Sequence, residues 1–376
     1  MIYLDNSSTT RVKEAVAEKM ANIMTKDFGN PSSLHRLGLN AEKIVKEARL
    51  AIAKKLNANP SEIFFTSCGT ESDNTVVKGV WESRKKQGKR IITTAVEHPA
   101  ILEPAKWCEA NGAEVVYLPV DENCCIRMED LKAALTEDTI LVSVMYVNNE
   151  VGSIMPIKEI ADYVHAHSNA YVHTDAVQAF GKLDIDVKKI GVDFLSVSGH
   201  KVHGPKGIGA LYIKTGIHLP SFMLGGGQER GFRSGTESVP LIAGFGAAVL
   251  ELSKFDSAPK DYLCKCIKGK FGDSVKINTP KESVPSVLNV SFLGCRAEVL
   301  LHMLEEEEIY VSTGSACSSN TKKKGSHVLL AMGLKPDEVE GAIRFSFSDE
   351  NTLEQMDEVM KVLTNVVEKH RKLMKR

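Results

Sequence analysis

Residues 196–207 read Ser-Val-Ser-Gly-His-Lys-Val-His-Gly-Pro-Lys-Gly and place Lys201 just after the predicted end of a β-strand. Ligands of α/β folds bind outside the carboxyl ends of strands, so Lys201 is positioned to meet one. A lysine amine forms a Schiff base with an aldehyde, which is how pyridoxal phosphate is held, and Ser198 and His200 offer donors for its phosphate. Taken alone, a lysine in a glycine-rich turn is more often a solvated surface residue, so this interpretation depends on partners elsewhere in the chain.

The sequence on both sides of this stretch alternates short β-rich runs with helical patterns. Predicted strands cover residues 62–66, 90–94, 114–118, 139–146, 171–174, 194–198 and 210–213. Predicted helices begin at residue 71 and cover 100–110 and 157–166. Because the strands are apolar almost throughout, we expect both faces of their sheet to be covered. The pattern predicts an α/β fold with a large, mainly parallel sheet of the seven-stranded type between layers of helices.

A change in composition near residue 255 predicts a domain boundary. The segment 257–279 is polar and contains Pro259. Beyond it we predict strands over 286–292, 309–312 and 342–347, a helix over 296–306 and a long terminal helix from Leu353. These elements indicate a smaller α+β domain in the C-terminal part of the chain.

Charge and hydropathy argue against several classes of protein. The 376 residues include 47 Lys and Arg against 48 Asp and Glu, for a net charge of −1. This balance gives no general affinity for nucleic acid or anionic membranes. The N-terminus lacks the basic and apolar regions of a secretory signal, and no apolar run approaches the length of a transmembrane helix. We therefore expect a cytoplasmic protein.

The cysteines do not form a recognisable metal or disulfide framework. There are 8 of them, and no two are spaced as a CxxC pair. Neither a zinc site nor a set of secreted disulfides is predicted, and we expect no metal. Free thiols in a reducing compartment explain the spacing better.

A carboxylate and an amide follow another predicted strand. Asp175 ends that strand, and Gln178 lies nearly one helical turn further on. A carboxylate at this position can pair with the pyridinium nitrogen of pyridoxal phosphate and keep the ring protonated. Considered in isolation, Asp175 is better explained as an ordinary helix N-cap.

Three further groups follow predicted strands. Residues 66–71 run from a strand through small residues into a helix, which favours an anion site at Gly69 and Thr70. His98 can stack on a cofactor ring and move protons, although a histidine in this setting is usually structural. Asn149 can reach a ring hydroxyl or a substrate carboxylate.

Short motifs occur along the chain in one order: YLDNSSTT, GNPSSLH, TSCGTESDN, EHPA, NNEVG, HTDAVQ, SGHKVHGPKG, RSGTE, STGSACSS and IRFS. Together they resemble the NifS/IscS-type cysteine desulfurases, which are fold-type I pyridoxal-phosphate enzymes of the class-V aminotransferase family. The resemblance covers nearly the whole chain. It implies a homodimer, with a large cofactor domain over residues 16–255 and a small domain formed by residues 1–15 and 256–376.

The resemblance also implies roles for single residues around pyridoxal phosphate. Lys201 matches the Schiff-base lysine and Asp175 the pyridinium partner, while His98 matches the residue that stacks on the ring as acid and base. The other cofactor contacts that it implies are Gln178 and Asn149 at the ring hydroxyl, Gly69, Thr70, Ser198 and His200 at the phosphate, and Thr236 at the phosphate of the partner subunit.

The implied reaction needs two more residues. Arg344 matches the clamp for the substrate carboxylate, a task that suits the planar guanidinium. Cys317 matches the nucleophile that takes sulfur from L-cysteine as a persulfide and leaves L-alanine. The sulfur then passes to an acceptor protein for iron–sulfur cluster assembly or tRNA thiolation. The chain departs from the family at Cys68-Gly69, where the family commonly has Gly-Ala.

Two alternatives stay open. A selenocysteine lyase would use the same cofactor but often lacks the cysteine run of residues 312–319. A cofactor-binding regulator without turnover would explain the phosphate and ring contacts, yet it would leave Cys317 and Arg344 without a task.

Overall fold

The computed structural model describes residues 1–313 and 325–374. Its largest sheet has seven strands. In spatial order they are β2 (Ile63–Thr66), β8 (Gly209–Ile213), β7 (Phe194–Ser198), β6 (Tyr171–Asp175), β5 (Thr139–Ser143), β3 (Arg90–Thr94) and β4 (Glu114–Leu118). From β7 to β4 neighbouring strands are parallel, whereas β8 is antiparallel to both of its neighbours. The predicted α/β fold with a mainly parallel sheet is confirmed.

Helices cover both faces of this sheet. They are α1 (Glu14–Thr25), α2 (Arg36–Leu56), α3 (Gly69–Arg84), α4 (Pro99–Ala110), α5 (Met128–Ala134), α6 (Ile157–His167), α7 (Val187–Ile190) and α8 (Val239–Leu250). Successive strand residues point to opposite faces. Val142 and Leu195 pack in an apolar cluster with α2, α6 and α8, whereas Leu141 and Phe194 pack in a second cluster with α3 and α4. Burial on both faces explains why these strands are apolar almost throughout.

Two smaller sheets bring the N-terminal residues and the C-terminal part of the chain together. Strand β10 (Val287–Phe292) lies between β9 (Val275–Ile277) and β12 (Ala342–Ser346), and β1 (Ile2–Tyr3) pairs with β11 (Ile309–Tyr310). The helices of this part are α9 (Ala258–Phe271), α10 (Ala297–Glu305), α11 (His327–Ala331), α12 (Pro336–Glu340) and α13 (Leu353–Met374). Ile2 and Leu4 share one apolar cluster with Leu263, Ile343 and Leu363. The division into residues 16–255 and 1–15 plus 256–376 stays a prediction.

Some predicted elements are wrong in extent. The strand predicted over 139–146 ends at Ser143. Beyond it the Val144 and Tyr146 N–H groups still donate to carbonyls of β6, at 3.0 and 2.9 Å, but the Met145 N–H donates to the Glu97 carboxylate at 2.9 Å. The strand predicted over 309–312 ends at Tyr310. The prediction also lacks α1, α2 and α8, which lie outside the strand–helix alternation, and the helices α5, α7, α9, α11 and α12. No helix in the described residues is long and apolar enough to cross a bilayer.

Candidate active site

A cleft of about 270 Å³ lies at the carboxyl ends of β6 and β7. Most of the predicted site residues line it: Gly69, Thr70, His98, Asn149, Asp175, Gln178, Ser198, His200, Lys201 and Arg344. Thr236 lines a different pocket, beside Thr66 and Ser67. Cys317 lies outside the described residues. Most of the residues predicted from the sequence therefore line a single cleft, although they come from distant parts of the chain.

Lys201 enters the cleft from a short 3₁₀ turn, Gly199–Lys201, which directly follows β7. Its Nζ donates to the carbonyl oxygens of Ser7 at 2.6 Å and Ser8 at 2.8 Å. These bonds hold the amine against the N-terminal segment. An amine at this position is available to a carbonyl compound that enters the cleft.

Asp175 is the last residue of β6 and is 7% exposed. Its Oδ1 accepts a hydrogen bond from the Val177 N–H at 2.9 Å, and the residues that follow form turns, so the alternative of a helix N-cap is wrong. Burial raises the pKa of Asp175, while the Val177 N–H and the Lys201 charge oppose the rise. A buried carboxylate of this kind is stabilised by a cationic partner.

Asp73 is a second buried carboxyl group, 1% exposed, close enough to Asp175 for their charges to interact. Burial, followed by the charge of Asp175, raises the pKa of Asp73 well above its usual range. The nearest cation candidate, His173 Nε2, is 3.6 Å from Asp73 Oδ1, but burial lowers the pKa of His173 to about 3. Asp73 is therefore the carboxyl group of the pair that stays protonated, which leaves Asp175 to carry the negative charge at the cleft.

His98 is the N-cap of α4, and its Nδ1 accepts a hydrogen bond from the Ala100 N–H at 3.1 Å. Since Nδ1 accepts, the proton of the neutral ring lies on Nε2. Burial, with the charges of Lys201 and His327, lowers the pKa of His98 to about 4. The ring is neutral at pH 7, and the Nε2–H group is its hydrogen-bond donor.

The start of α3 and the end of β7 form a cradle for an anion. A Cβ at Gly69 would lie 2.7 Å from Val177 Cγ2, so a larger residue here would require the Val177 side chain to shift. Ser198 is 2% exposed, and its Oγ has no hydrogen-bond partner among the described residues. An unpaired buried hydroxyl beside a helix N-terminus suits a phosphate group. Burial and the Lys201 charge lower the pKa of the neighbouring His200 to about 4.

Arg344 projects into the cleft from β12 and is 3% exposed. Its Nη1 donates to the Asn149 carbonyl at 3.0 Å, and its Nη2 donates to Asp5 Oδ1 and Ser8 Oγ, both at 2.8 Å. Its Nε has no hydrogen-bond partner among the described residues. The guanidinium is therefore rigidly held and keeps a donor for a further acceptor.

Sequence reasoning missed several residues of the site. Asp5, Ser7 and Ser8 hold Arg344 and Lys201. They belong to the motif YLDNSSTT, for which the sequence predicts no contact with the site. Lys182 also lies close by and donates to Gln178 Oε1 at 3.0 Å. Ser7 and Ser8 act mainly through backbone carbonyls, which carry no signal in the sequence.

The segment that contains Arg233 and Thr236 is held against the first turn of α3. Arg233 Nε donates to Glu71 Oε1 at 3.0 Å, and Glu71 Oε2 accepts from the Ser67 N–H at 3.0 Å. Within one chain Thr236 lines a separate pocket and not the cleft. Its predicted contact with the partner subunit's phosphate stays a prediction.

Comparison with known proteins gives consistent matches over the chain. The family model described as "Aminotransferase class-V" matches residues 2–359. The protein named cysteine desulfurase IscS from Clostridium botulinum is 44% identical over 99% of this chain and 96% of its own length. Its namesake from Methanosarcina thermophila is 42% identical over 99% of this chain and 93% of its own length.

Solved structures agree with this result. A structure described as a NifS-like protein superposes with a TM-score of 0.91 at 40% identity, over 98% of this chain and 99% of that chain. A second, described as SspA in complex with cysteine, gives a TM-score of 0.84 at 36% identity, over 92% of this chain and 99% of that chain.

Proposed function

Because the chain belongs to the class-V aminotransferase family and is a cysteine desulfurase, we propose that its cleft binds pyridoxal phosphate through Lys201 and converts L-cysteine to L-alanine. The observation that carries this proposal is the meeting of Lys201, Asp175 and the unpaired Ser198 hydroxyl in one cleft. An amine, a carboxylate and a hydroxyl suit the aldehyde, the ring nitrogen and the phosphate of this cofactor.

Pyridoxal phosphate, when bound, withdraws electrons from the α-carbon of an amino acid. Asp175 would pair with the ring nitrogen and keep it protonated, and the burial of Asp175 would strengthen that charge pair. Gly69 and Ser198 would hold the phosphate, together with Thr70 and His200. His98 would contact the ring and, because it is neutral, would not repel the protonated ring nitrogen.

The amine of Lys201 has a second task as the base that accepts the α-proton of the substrate. Ser7 and Ser8 hold that amine inside the cleft with two backbone carbonyls, at 2.6 and 2.8 Å. Arg344 receives the substrate carboxylate, for which its unpaired Nε offers a donor. Asn149 is fixed beside it, because its carbonyl accepts from Arg344 Nη1 at 3.0 Å.

Cys317 is the proposed acceptor of the substrate sulfur. The described residues on both sides of its segment are anchored at the cleft. Ser312 exchanges two backbone hydrogen bonds with Arg344, at 3.1 and 2.7 Å, and the Ser326 hydroxyl donates to Glu150, the neighbour of Asn149. Five residues span at most about 17 Å, so a thiol at position 317 is within reach of a substrate held by Arg344.

In this step the Cys317 thiolate would attack the sulfur of the substrate cysteine. A sulfur–sulfur bond would form, the carbon–sulfur bond would break, and its electron pair would go to the β-carbon of the substrate, which takes up a proton and becomes the methyl group of alanine. The persulfide is then passed to an acceptor protein for iron–sulfur cluster assembly or tRNA thiolation.

We also propose a cytoplasmic homodimer in which Thr236 reaches the phosphate of the partner subunit. Three apolar side chains that a monomer would leave in water support this: Leu34 is 94% exposed, Leu224 is 90% exposed and Phe28 is 66% exposed. The described cysteines are free thiols, which favours a reducing compartment.

Two substitutions test the proposal. Lys201→Ala should abolish both the yellow colour of the bound cofactor and the formation of alanine from L-cysteine. Cys317→Ser should keep the colour and lose the protein-bound persulfide, as measured by mass spectrometry after incubation with L-cysteine. Persulfide transfer that survives in the Cys317→Ser protein would refute the role of Cys317.

A further inference from the structure

Lys182 lies beside the cleft and has no place in the mechanism above. It follows Gln178 by four residues, and its Nζ donates to Gln178 Oε1 at 3.0 Å. Burial, then the charges of Lys201 and Arg344, lower the pKa of Lys182 to about 7. Burial of a charged amine destabilises the folded protein unless a carboxylate pairs with it, and the partner of Lys182 is only an amide oxygen. This unfavourable arrangement suggests that Lys182 has a function.

The two contacts of Gln178 fix the orientation of its amide. In its protonated form Lys182 can only donate, so this form must face the amide oxygen, as it does in the structure. On the other side, Gln178 Nε2 donates to the Ser7 carbonyl at 2.9 Å, and a carbonyl can only accept. Both neighbours therefore demand the same orientation, with the NH₂ group toward Ser7 and the cleft.

The Ser7 carbonyl joins this amide to the amine of the active site. It accepts both Gln178 Nε2 at 2.9 Å and Lys201 Nζ at 2.6 Å. One N–H of the Gln178 amide is used by Ser7, which leaves the second N–H for a ligand, since Gln178 lines the cleft. A continuous chain of hydrogen bonds thus runs from Lys182 through Gln178 and Ser7 to Lys201.

We propose that Lys182 is a positioning residue, which locks the Gln178 amide so that its second N–H donates to the ring oxygen of the cofactor. This inference rests on the proposed binding of pyridoxal phosphate in the cleft. Lys182 itself does not touch the cofactor, and it acts through the Gln178 amide. Its donation to Oε1 also polarises that amide and strengthens the N–H on the other side.

The loss of Lys182 should change the proton affinity of the bound chromophore. A weaker donor at the ring oxygen leaves more negative charge there, and this charge favours the protonated form of the neighbouring nitrogen. Removal of a nearby cation acts in the same direction. The expected result for Lys182→Met is an increase of at least about threefold in the proton-binding constant of the visible chromophore, or about half a pH unit.

The experiment is a pH titration of the visible spectrum of the holoprotein. Lys182→Arg keeps a cation that can only donate and should restore the wild-type titration to within about twofold. Lys206→Met is the matched control for charge alone, because Lys206 is exposed and acts on His200 without contacting Gln178. The shift in Lys182→Met should exceed the shift in Lys206→Met.

A double-mutant cycle separates positioning from plain electrostatics. If Lys182 acts through Gln178, Lys182→Met should shift the titration much less in a Gln178→Leu background than in the wild type. Equal shifts in both backgrounds, or no shift in Lys182→Met, would overturn the inference. Should Lys182→Met fail to fold, Lys182→Ala provides the test. It also removes the donor to Gln178, so the same shift of at least about threefold is expected, and an unshifted titration would overturn the inference.

The experiment distinguishes a failure of the proposed function from a failure of the inference about Lys182. A wild-type protein that acquires no visible band with pyridoxal phosphate would refute the cofactor site as a whole. A wild-type band with an unshifted Lys182→Met titration would refute the positioning role and leave the proposed function intact.

Discussion

Glu97 makes the stability of this protein depend on pH in a direction opposite to that of most carboxylates. It is 0% exposed, and its Oε1 accepts from the Thr94 hydroxyl at 2.8 Å and the Met145 N–H at 2.9 Å. Its Oε2 has no hydrogen-bond partner among the described residues. Burial raises the pKa of Glu97 from 4.5 to about 8, against the effect of those two donors.

The magnitude follows from that shift. Below pH 4.5 the folded and unfolded chains both hold the proton, and no penalty arises. As the pH rises from 4.5 to 8 the unfolded chain ionises first, so the free energy of unfolding falls by about 1.4 kcal/mol per unit of pKa difference, or about 5 kcal/mol in total. Above pH 8 the loss is complete. Glu97→Gln mimics the protonated side chain and should remove this loss.

The assay is urea unfolding of the wild-type and Glu97→Gln proteins at equal concentration, at pH 5 and at pH 9. The destabilisation caused by an unpaired Gln amide does not depend on pH, and His98 titrates in the same way in the two proteins. Neither effect therefore changes the difference between their free energies of unfolding as the pH changes. The stability of Glu97→Gln relative to wild type should rise by about 3–5 kcal/mol between the two pH values. Parallel pH profiles would show that Glu97 is ionised or solvated, and would refute the reasoning.

Three further predictions concern the cleft. Arg344→Lys keeps a charge but loses the planar fork, so the KM for L-cysteine should rise about 10- to 100-fold in steady-state assays, with a smaller change in kcat; an unchanged KM would exclude a carboxylate contact. Ser198→Ala should weaken the binding of pyridoxal phosphate about tenfold in a fluorescence titration, the equivalent of one hydrogen bond of about 1.4 kcal/mol; equal affinity would exclude Ser198 from the phosphate site. Cys68 lines the cleft, so bound cofactor should slow its alkylation by iodoacetamide at least about fivefold by mass spectrometry, whereas the half-buried Cys264 serves as the unaffected reference.

The sequence reveals those site residues whose position at a strand end can be read from local pattern. Asp175 ends the buried strand β6 and Lys201 follows the buried strand β7, and the carboxyl ends of parallel strands lie at one edge of a sheet. The order of short motifs along the chain then joins His98, Arg344 and the other residues into one site. The structure brings them into one cleft, apart from Thr236 and the undescribed Cys317.

The other features of the site depend on contacts between residues that are far apart in the sequence, and no local sequence pattern predicts such contacts. Lys201 and Ser7 are 194 residues apart, and Arg344 and Asp5 are 339 apart. Lys182 was missed because a lysine four residues after a glutamine has the ordinary spacing of an exposed helical pair. The N-terminal segment contacts His200, just after β7, and Ser346, at the end of β12, and only this packing shows what these residues hold in place.

The most direct test of the central claim is incubation of the purified holoprotein with L-cysteine, with alanine quantified and the persulfide mapped by mass spectrometry. The mechanism predicts one alanine released for each sulfur transferred, with the first persulfide on Cys317 and neither product in the Lys201→Ala protein. A yellow protein that releases no alanine, or one whose persulfide forms equally well on other cysteines, would contradict it.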